Sequence, residues 1–208
     1  MRPIVLKAEK LSKNFNRRTV IRDISFTLVP GDSLAVTGKN GSGKSTLIKI
    51  LAGVLSPSTG SVAYENSGIP LLQDEIRTLV GFVSPYLQYY EEFTAVEILD
   101  IIARIRVSGA NDPARRKDLM ERFSLWERKD DIVRTYSSGM KQRLKYVVAL
   151  EHSPSVLLLD EPTSNLDEDG IAVVRNVVAE YSKRGVLVIA TNDASEASWC
   201  GRQLKVGG

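Results

Sequence analysis

The spacing of apolar residues along the 208-residue chain changes several times, and each change predicts an element. Val20 to Val29 alternates apolar and polar positions as a half-buried strand does, and Pro30-Gly31 ends it with a turn before the short apolar run Ser33 to Thr37. Two strands are therefore expected ahead of the first glycine cluster. Beyond that cluster Leu47, Ile48, Ile50, Leu51 and Val54 recur at helical spacing until Ser56-Pro57 closes the segment.

Strand patterns return at Ser61 to Tyr64 and at Leu79 to Val83, joined by a polar connection with glycine and proline. From Thr94 to about Leu150 the spacing is mainly helical, broken at Ser108-Gly109 and Asn111-Asp112-Pro113, which predicts a helical insertion at about residues 90–150. Val156 to Leu159 is wholly apolar, as a strand covered on both faces of a parallel sheet must be, and Gly185 to Ala190 is another such run. A helix over Glu168 to Ser182 supplies the crossover, so the expected fold is α/β, one unit over residues 1–208.

Composition narrows the function classes. A hydrophobic fraction of 43% supports one sizeable core, and 28 Lys and Arg against 25 Asp and Glu leave +3 with no long basic run, so no nucleic-acid partner is expected. Arg115-Arg116-Lys117 reads as a solvated helix face. Cys200, the single cysteine, excludes an internal disulfide and reads as packing beside Trp199. His152, the single histidine, reads as a surface or helix-end residue. With no run near the ~20 apolar residues of a membrane helix and no signal-like start, a soluble cytoplasmic protein is expected.

The chemistry begins at Gly38-Lys39-Asn40-Gly41-Ser42-Gly43-Lys44-Ser45-Thr46, which satisfies G-x-x-x-x-G-K-[ST] between a predicted strand and helix. Glycines let the backbone curl so that several N–H groups face a phosphate at the positive end of the following helix. Lys44 adds a point charge toward the β and γ phosphates of ATP, and Ser45 offers a hydroxyl to Mg²⁺. Such a loop needs an acidic strand end opposite it. Val156 to Glu161 supplies one, with Asp160 as the residue to hold Mg²⁺ and Glu161 placed to act as general base on water.

On these residues, and on Tyr136-Ser137-Ser138-Gly139-Met140 followed by LLLDEPTSNLD, the chain resembles the nucleotide-binding domains of ABC transporters along nearly its whole length. The resemblance implies a P-loop NTPase (RecA-like) core with a small antiparallel β subdomain and a helical subdomain. Tyr136 to Met140 corresponds to the family signature. Ser137, Ser138 and Gly139 are thereby implied to contact ATP held by a second copy, although alone they read as a helix cap. Ser164 to Asp167 is similar to the family's D-loop, with Asp167 reaching the other ATP site; unaided, it reads as a helix N-terminus. Phe15 falls where the family stacks an aromatic ring on adenine, and a core phenylalanine is the alternative.

Further implications are an ATP-dependent homodimer, separate transmembrane permease subunits, and a cytoplasmic location on the inner membrane face through them. Pro85 to Phe93, rich in Tyr86, Leu87, Tyr89, Tyr90 and Phe93, reads as a docking segment for another chain, with core packing of the helical part as the alternative.

Two departures stand out. Pro85 occupies the family's glutamine position and offers no side-chain hydrogen bond, leaving Gln88 either to reach in or to stay on the surface. Asn192 replaces a histidine expected at the γ phosphate, so contact is retained and proton relay lost. Because Glu161 remains, slow hydrolysis is expected. The alternatives are a regulatory subunit with little turnover and a soluble ABC protein outside transport.

Overall fold

The computed structural model describes residues 3–16, 18–106 and 112–207 and divides the strands between two sheets. In chain order the elements are β1 (Ile4–Phe15), β2 (Arg18–Leu28), β3 (Ser33–Thr37), α1 (Lys44–Leu51), β4 (Thr59–Asn66), β5 (Ile69–Pro70), α2 (Gln73–Leu79) and β6 (Val80–Val83). There follow α3 (Ala95–Ile105), α4 (Pro113–Arg122), α5 (Ser138–Leu150), β7 (Val156–Asp160), α6 (Glu168–Arg184), β8 (Val186–Thr191), α7 (Ala194–Ala197) and β9 (Arg202–Lys205). An antiparallel sheet has the order β2-β1-β4-β5, and a parallel sheet the order β6-β7-β8-β3-β9.

The unbroken apolar runs of the parallel sheet are explained by its two covered faces. Leu157, Leu159, Leu187 and Ile189 pack toward α5 and α6, whereas Val156, Leu158, Val186, Val188 and Ala190 pack toward α1 and β1. Adjacent residues thus bury into opposite layers, the period of two that a strand imposes. This is the expected α/β architecture, with α1 and the antiparallel sheet on one side of the parallel sheet and α5 and α6 on the other.

Several expectations need correction. A third strand, β1, precedes the glycine loop. Its alternation holds at Ile4, Leu6 and Ala8, then slips at a register shift before Leu11, where Lys10 takes φ 47°. A bulge of this kind moves later side chains to the other face and hides the strand from a period-two reading. The polar connection before β6 contains α2, which buries only Ile76 and Leu79. Asp112-Pro113 starts α4 rather than merely breaking a helix, with Asp112 accepting from the N–H groups of Ala114 and Arg115; Ser108, Gly109 and Asn111 lie outside the described residues.

The basic triplet is not wholly solvated. Arg116 is 8% exposed and paired with Glu151 and Asp100, while Arg115 donates to the carbonyls of Leu150 and Glu151 at the end of α5. His152, just past that helix, is partly buried against Arg106 and the Val80 carbonyl. Burial and Arg106 push its imidazole down to about 3. Cys200 and Trp199 pack against the core, and burial pushes the Cys200 thiol up to about 12. Among the described residues no helix is long and apolar enough to cross a membrane.

Candidate nucleotide site

Parallel strands deliver their following loops to one edge of the sheet, where ligands of open α/β sheets bind. Here β3, β7 and β8 are neighbours through β8, so the loops beginning at Gly38, Glu161 and Asn192 converge. At that edge lies a cavity of about 650 Å³ lined by Phe15, Asn40, Gly41, Gly43, Lys44, Ser45, Thr46 and Glu161, among others.

The loop owes its closeness to glycine. A Cβ on Gly43, whose φ is 103°, would lie 2.8 Å from the Val20 carbonyl oxygen. With glycine as N-cap, α1 has no side chain covering its first N–H groups, which remain available to an anion. Lys44 is 5% exposed and donates Nζ to the carbonyls of Gly38 (2.9 Å) and Lys39 (3.2 Å). Gly38, Lys39 and Ser42 therefore frame the loop rather than line the cavity. Ser42 Oγ is buried and lacks a protein partner.

Asp160 ends β7 with no exposed surface, and its Oδ1 accepts from Ser45 Oγ at 2.8 Å. Oδ2 accepts from Ser84 Oγ at 3.1 Å. Burial pushes this carboxyl above the usual carboxylate range, against the opposing pull of both hydroxyls and of Lys49 and Lys44. A buried carboxylate held by neutral hydroxyls is an all-oxygen donor set suited to a hard cation. Among the described residues no cluster of three or more His, Cys, Asp or Glu is built to hold a metal, so such an ion would complete its shell with phosphate and water oxygens.

Glu161 is half-buried and held at φ 47°, an unfavourable backbone region for a non-glycine residue, next to the cavity it lines. Its surroundings fix it there. Its N–H donates to the Ala190 carbonyl at 2.8 Å, Tyr146 donates its hydroxyl to the Pro162 carbonyl at 2.6 Å, and Thr163 donates to Glu196. Glu196, 4% exposed, also accepts from Thr191, so one buried carboxylate ties the loop after β7 to the end of β8.

Asn192 is exposed and donates Nδ2 to Asn40 Oδ1 at 3.0 Å, reaching the cavity's edge through the glycine loop. Gln88 is exposed and lines a separate cavity of about 190 Å³, so it does not stand in at the nucleotide cavity. Tyr86 lines the nucleotide cavity instead, and Pro85 offers only its carbonyl, taken by Lys145 Nζ at 2.9 Å. Tyr86 and Tyr90 are mostly exposed, whereas Tyr89 packs against the core. Lys49, Arg18 and Val20 complete the lining. Of these, Lys49 was legible: four residues beyond Ser45, it shares that helix face.

The signature residues sit elsewhere. Ser137 caps α5, accepting from the Met140 N–H at 3.2 Å. Ser138 borders the smaller cavity with Asn165, and a Cβ on Gly139 would lie 3.0 Å from the Asn165 carbonyl oxygen. Asp167 caps α6 at the Gly170 N–H and pairs with Arg143, which together with that N–H holds its carboxyl below the usual range. None of Ser137, Ser138, Gly139 or Asp167 lines the nucleotide cavity.

A glycine loop between a parallel strand and a helix, facing an acidic strand end across a cavity, defines a P-loop nucleoside triphosphatase. The ABC transporter family model matches residues 21–164. The chain is 34% identical to a lipoprotein-releasing system ATP-binding protein of Alcanivorax borkumensis, over 97% of this chain and 94% of that protein. It is 30% identical to a linearmycin resistance ATP-binding protein of Bacillus subtilis over 92% of its own length, and spans 62% of that relative. In fold it matches a structure of an ATP-binding subunit of an ABC transporter, with TM-score 0.87, 27% identity and coverage of 98% and 86% of the two chains. A dimeric ATP-binding cassette bound to ADP and Pi matches with TM-score 0.83 at 21% identity, covering 97% and 94%. The chain belongs to the ABC transporter family.

Proposed function

We propose that the chain hydrolyses ATP between two copies of itself and that the resulting closure and opening drive transport through separate permease subunits. The carrying observation is the division of the site: the cavity holds Lys44, Ser45 and Glu161, while Ser137, Ser138, Gly139 and Asp167 lie outside it. In a head-to-tail pair those outlying groups supply the missing wall. Phe15 stacks on the adenine, and Gly38 to Thr46 enclose the phosphates, with Lys44 on the β and γ groups. Ser45 and Asp160 hold Mg²⁺, whose chemistry is to neutralise charge developing on the phosphate oxygens.

Glu161 accepts a proton from water as the water oxygen bonds to the γ phosphorus and the bond to the β-phosphate bridging oxygen breaks, leaving ADP and phosphate. Asn192 hydrogen-bonds at the γ end without relaying a proton. Residues 1–208 form one nucleotide-binding domain with a helical subdomain at about 90–150, placed at the inner membrane face by its permease partners. Exposed Tyr86, Tyr90 and Phe93 support docking there.

The test is phosphate release by purified protein. Glu161→Gln lowers it by about 10² or more while ATP binding is kept; equal rates would overturn the assignment of the base. A regulatory subunit with little turnover is the second reading, favoured by Pro85 and by the engagement of Asn192 with Asn40.

A further inference from the structure

Ser84 belongs to no motif, yet its surroundings are those of a site residue. It follows β6 directly, and the parallel register that pairs Val83 with Leu159 brings it beside Asp160. Its side chain is 1% exposed and its hydroxyl donates to Asp160 Oδ2 at 3.1 Å, while Ser45 donates to Oδ1 at 2.8 Å. Each oxygen of one buried carboxylate thus accepts one hydroxyl, from opposite edges of the site. Two such bonds fix the plane of the carboxylate, and one leaves it free to turn about its own axis.

Ser84 is itself held from two sides. The Leu87 N–H donates to the Ser84 carbonyl at 3.2 Å, closing a turn, and Lys145 on α5 clamps the next carbonyl, Pro85, at 2.9 Å. Lys145 is 8% exposed, so this clamp is shielded from water. The hydroxyl therefore meets Asp160 from a fixed position.

We propose that Ser84 is a positioning residue of the ATP–metal site, orienting Asp160 so that its free lone pairs face a divalent cation held with ATP. This rests on the reading of Ser45 and Asp160 as the metal residues. Partners one bond removed from a metal ligand commonly alter metal affinity by about 10–100-fold, because a ligand that must be turned into place binds less well. The Tyr86 N–H points at the same hydroxyl, 3.4 Å away, so the orienting group also begins the exposed aromatic segment.

The experiment uses the full chain with Glu161→Gln, to stop turnover, and titrates Mn²⁺ in the presence of ATP by electron paramagnetic resonance. ATP affinity in EDTA is measured in parallel. Ser84→Ala is expected to weaken Mn²⁺ binding about tenfold with the metal-free ATP affinity unchanged within about twofold, and Ser84→Thr, which keeps the hydroxyl, to restore it. With Glu161 intact, the Mg²⁺ concentration for half-maximal phosphate release should rise by the same factor.

Overlapping Mn²⁺ titrations for Ser84 and Ser84→Ala would overturn the proposal, as would an equal loss of ATP affinity with and without metal, which a packing defect produces. Asp160→Asn is the control that separates the two readings. If it too leaves Mn²⁺ affinity unchanged, the placement of the metal at Ser45 and Asp160 has failed first.

Discussion

The glycine-loop side of the site and the signature side are built on opposite principles. On the first, groups far apart in sequence bond to one another in the interior: Ser45 to Asp160 across 115 positions, and Ser84 to Asp160 across 76. On the second, Ser137 and Asp167 bond mainly to the first turns of their own helices, and Ser137, Ser138, Asn165 and Asp167 are exposed. One half is finished within the chain. The other presents helix N-termini outward, as the proposed head-to-tail pairing requires.

The contrast is broken most severely at Lys44. Lys44→Ala removes the cation from the cradle, and ATP affinity of the single chain should fall on the order of a hundredfold, measured by a fluorescent nucleotide titration. Ser137→Ala should do the reverse. Nucleotide affinity stays within about twofold, while the ATP-dependent dimer of the Glu161→Gln protein weakens about tenfold by light scattering, through one lost bond to a charged phosphate. If both substitutions reduce binding to one chain alike, the division between the two sides is wrong.

What could be read in advance follows the same line. The glycine loop, the acidic strand end and the signature are contiguous motifs, and each lies where its spacing places it. Ser84 and Glu196 gave no such signal, because their importance comes from partners 76 and 33 residues distant. Strand β1 was hidden by its register shifts, and β9 because only Leu204 of its four residues is even partly buried. Arg116 looked solvated because a charge run is usually a surface. Its ion partners, Asp100 in the middle of α3 and Glu151 at the C-terminal end of α5, meet it only after folding.

A smaller effect tests the helical side, away from the nucleotide. The imidazole of His152 is held down to about 3 by burial and by Arg106. The unfolded chain takes up its proton near pH 6.5, the folded chain only near 3, so the stabilising difference is complete above 6.5 and declines as pH falls. At pH 5.5 the loss from this group is on the order of 1 kcal/mol relative to neutral pH. Urea unfolding at pH 7.5 and 5.5 should give a steeper decline for the native sequence than for His152→Gln. Equal declines would mean that His152 is protonated in the folded protein.

The smallest expected change concerns Asn192, which joins the loop after β8 to the glycine loop through Asn40, at what we propose is the γ end of the cavity. Neither amide titrates, and the only imidazole in the chain is the partly buried one at His152 beside Arg106, so no imidazole at the proposed γ end changes charge between pH 6 and 8. Asn192→His introduces a group of that kind at an exposed position, with an expected midpoint near 6.5. Its phosphate-release profile, divided by that of the native protein, should show a step between pH 6 and 7 with an amplitude below about tenfold. A flat ratio would place residue 192 outside the reacting end of the site.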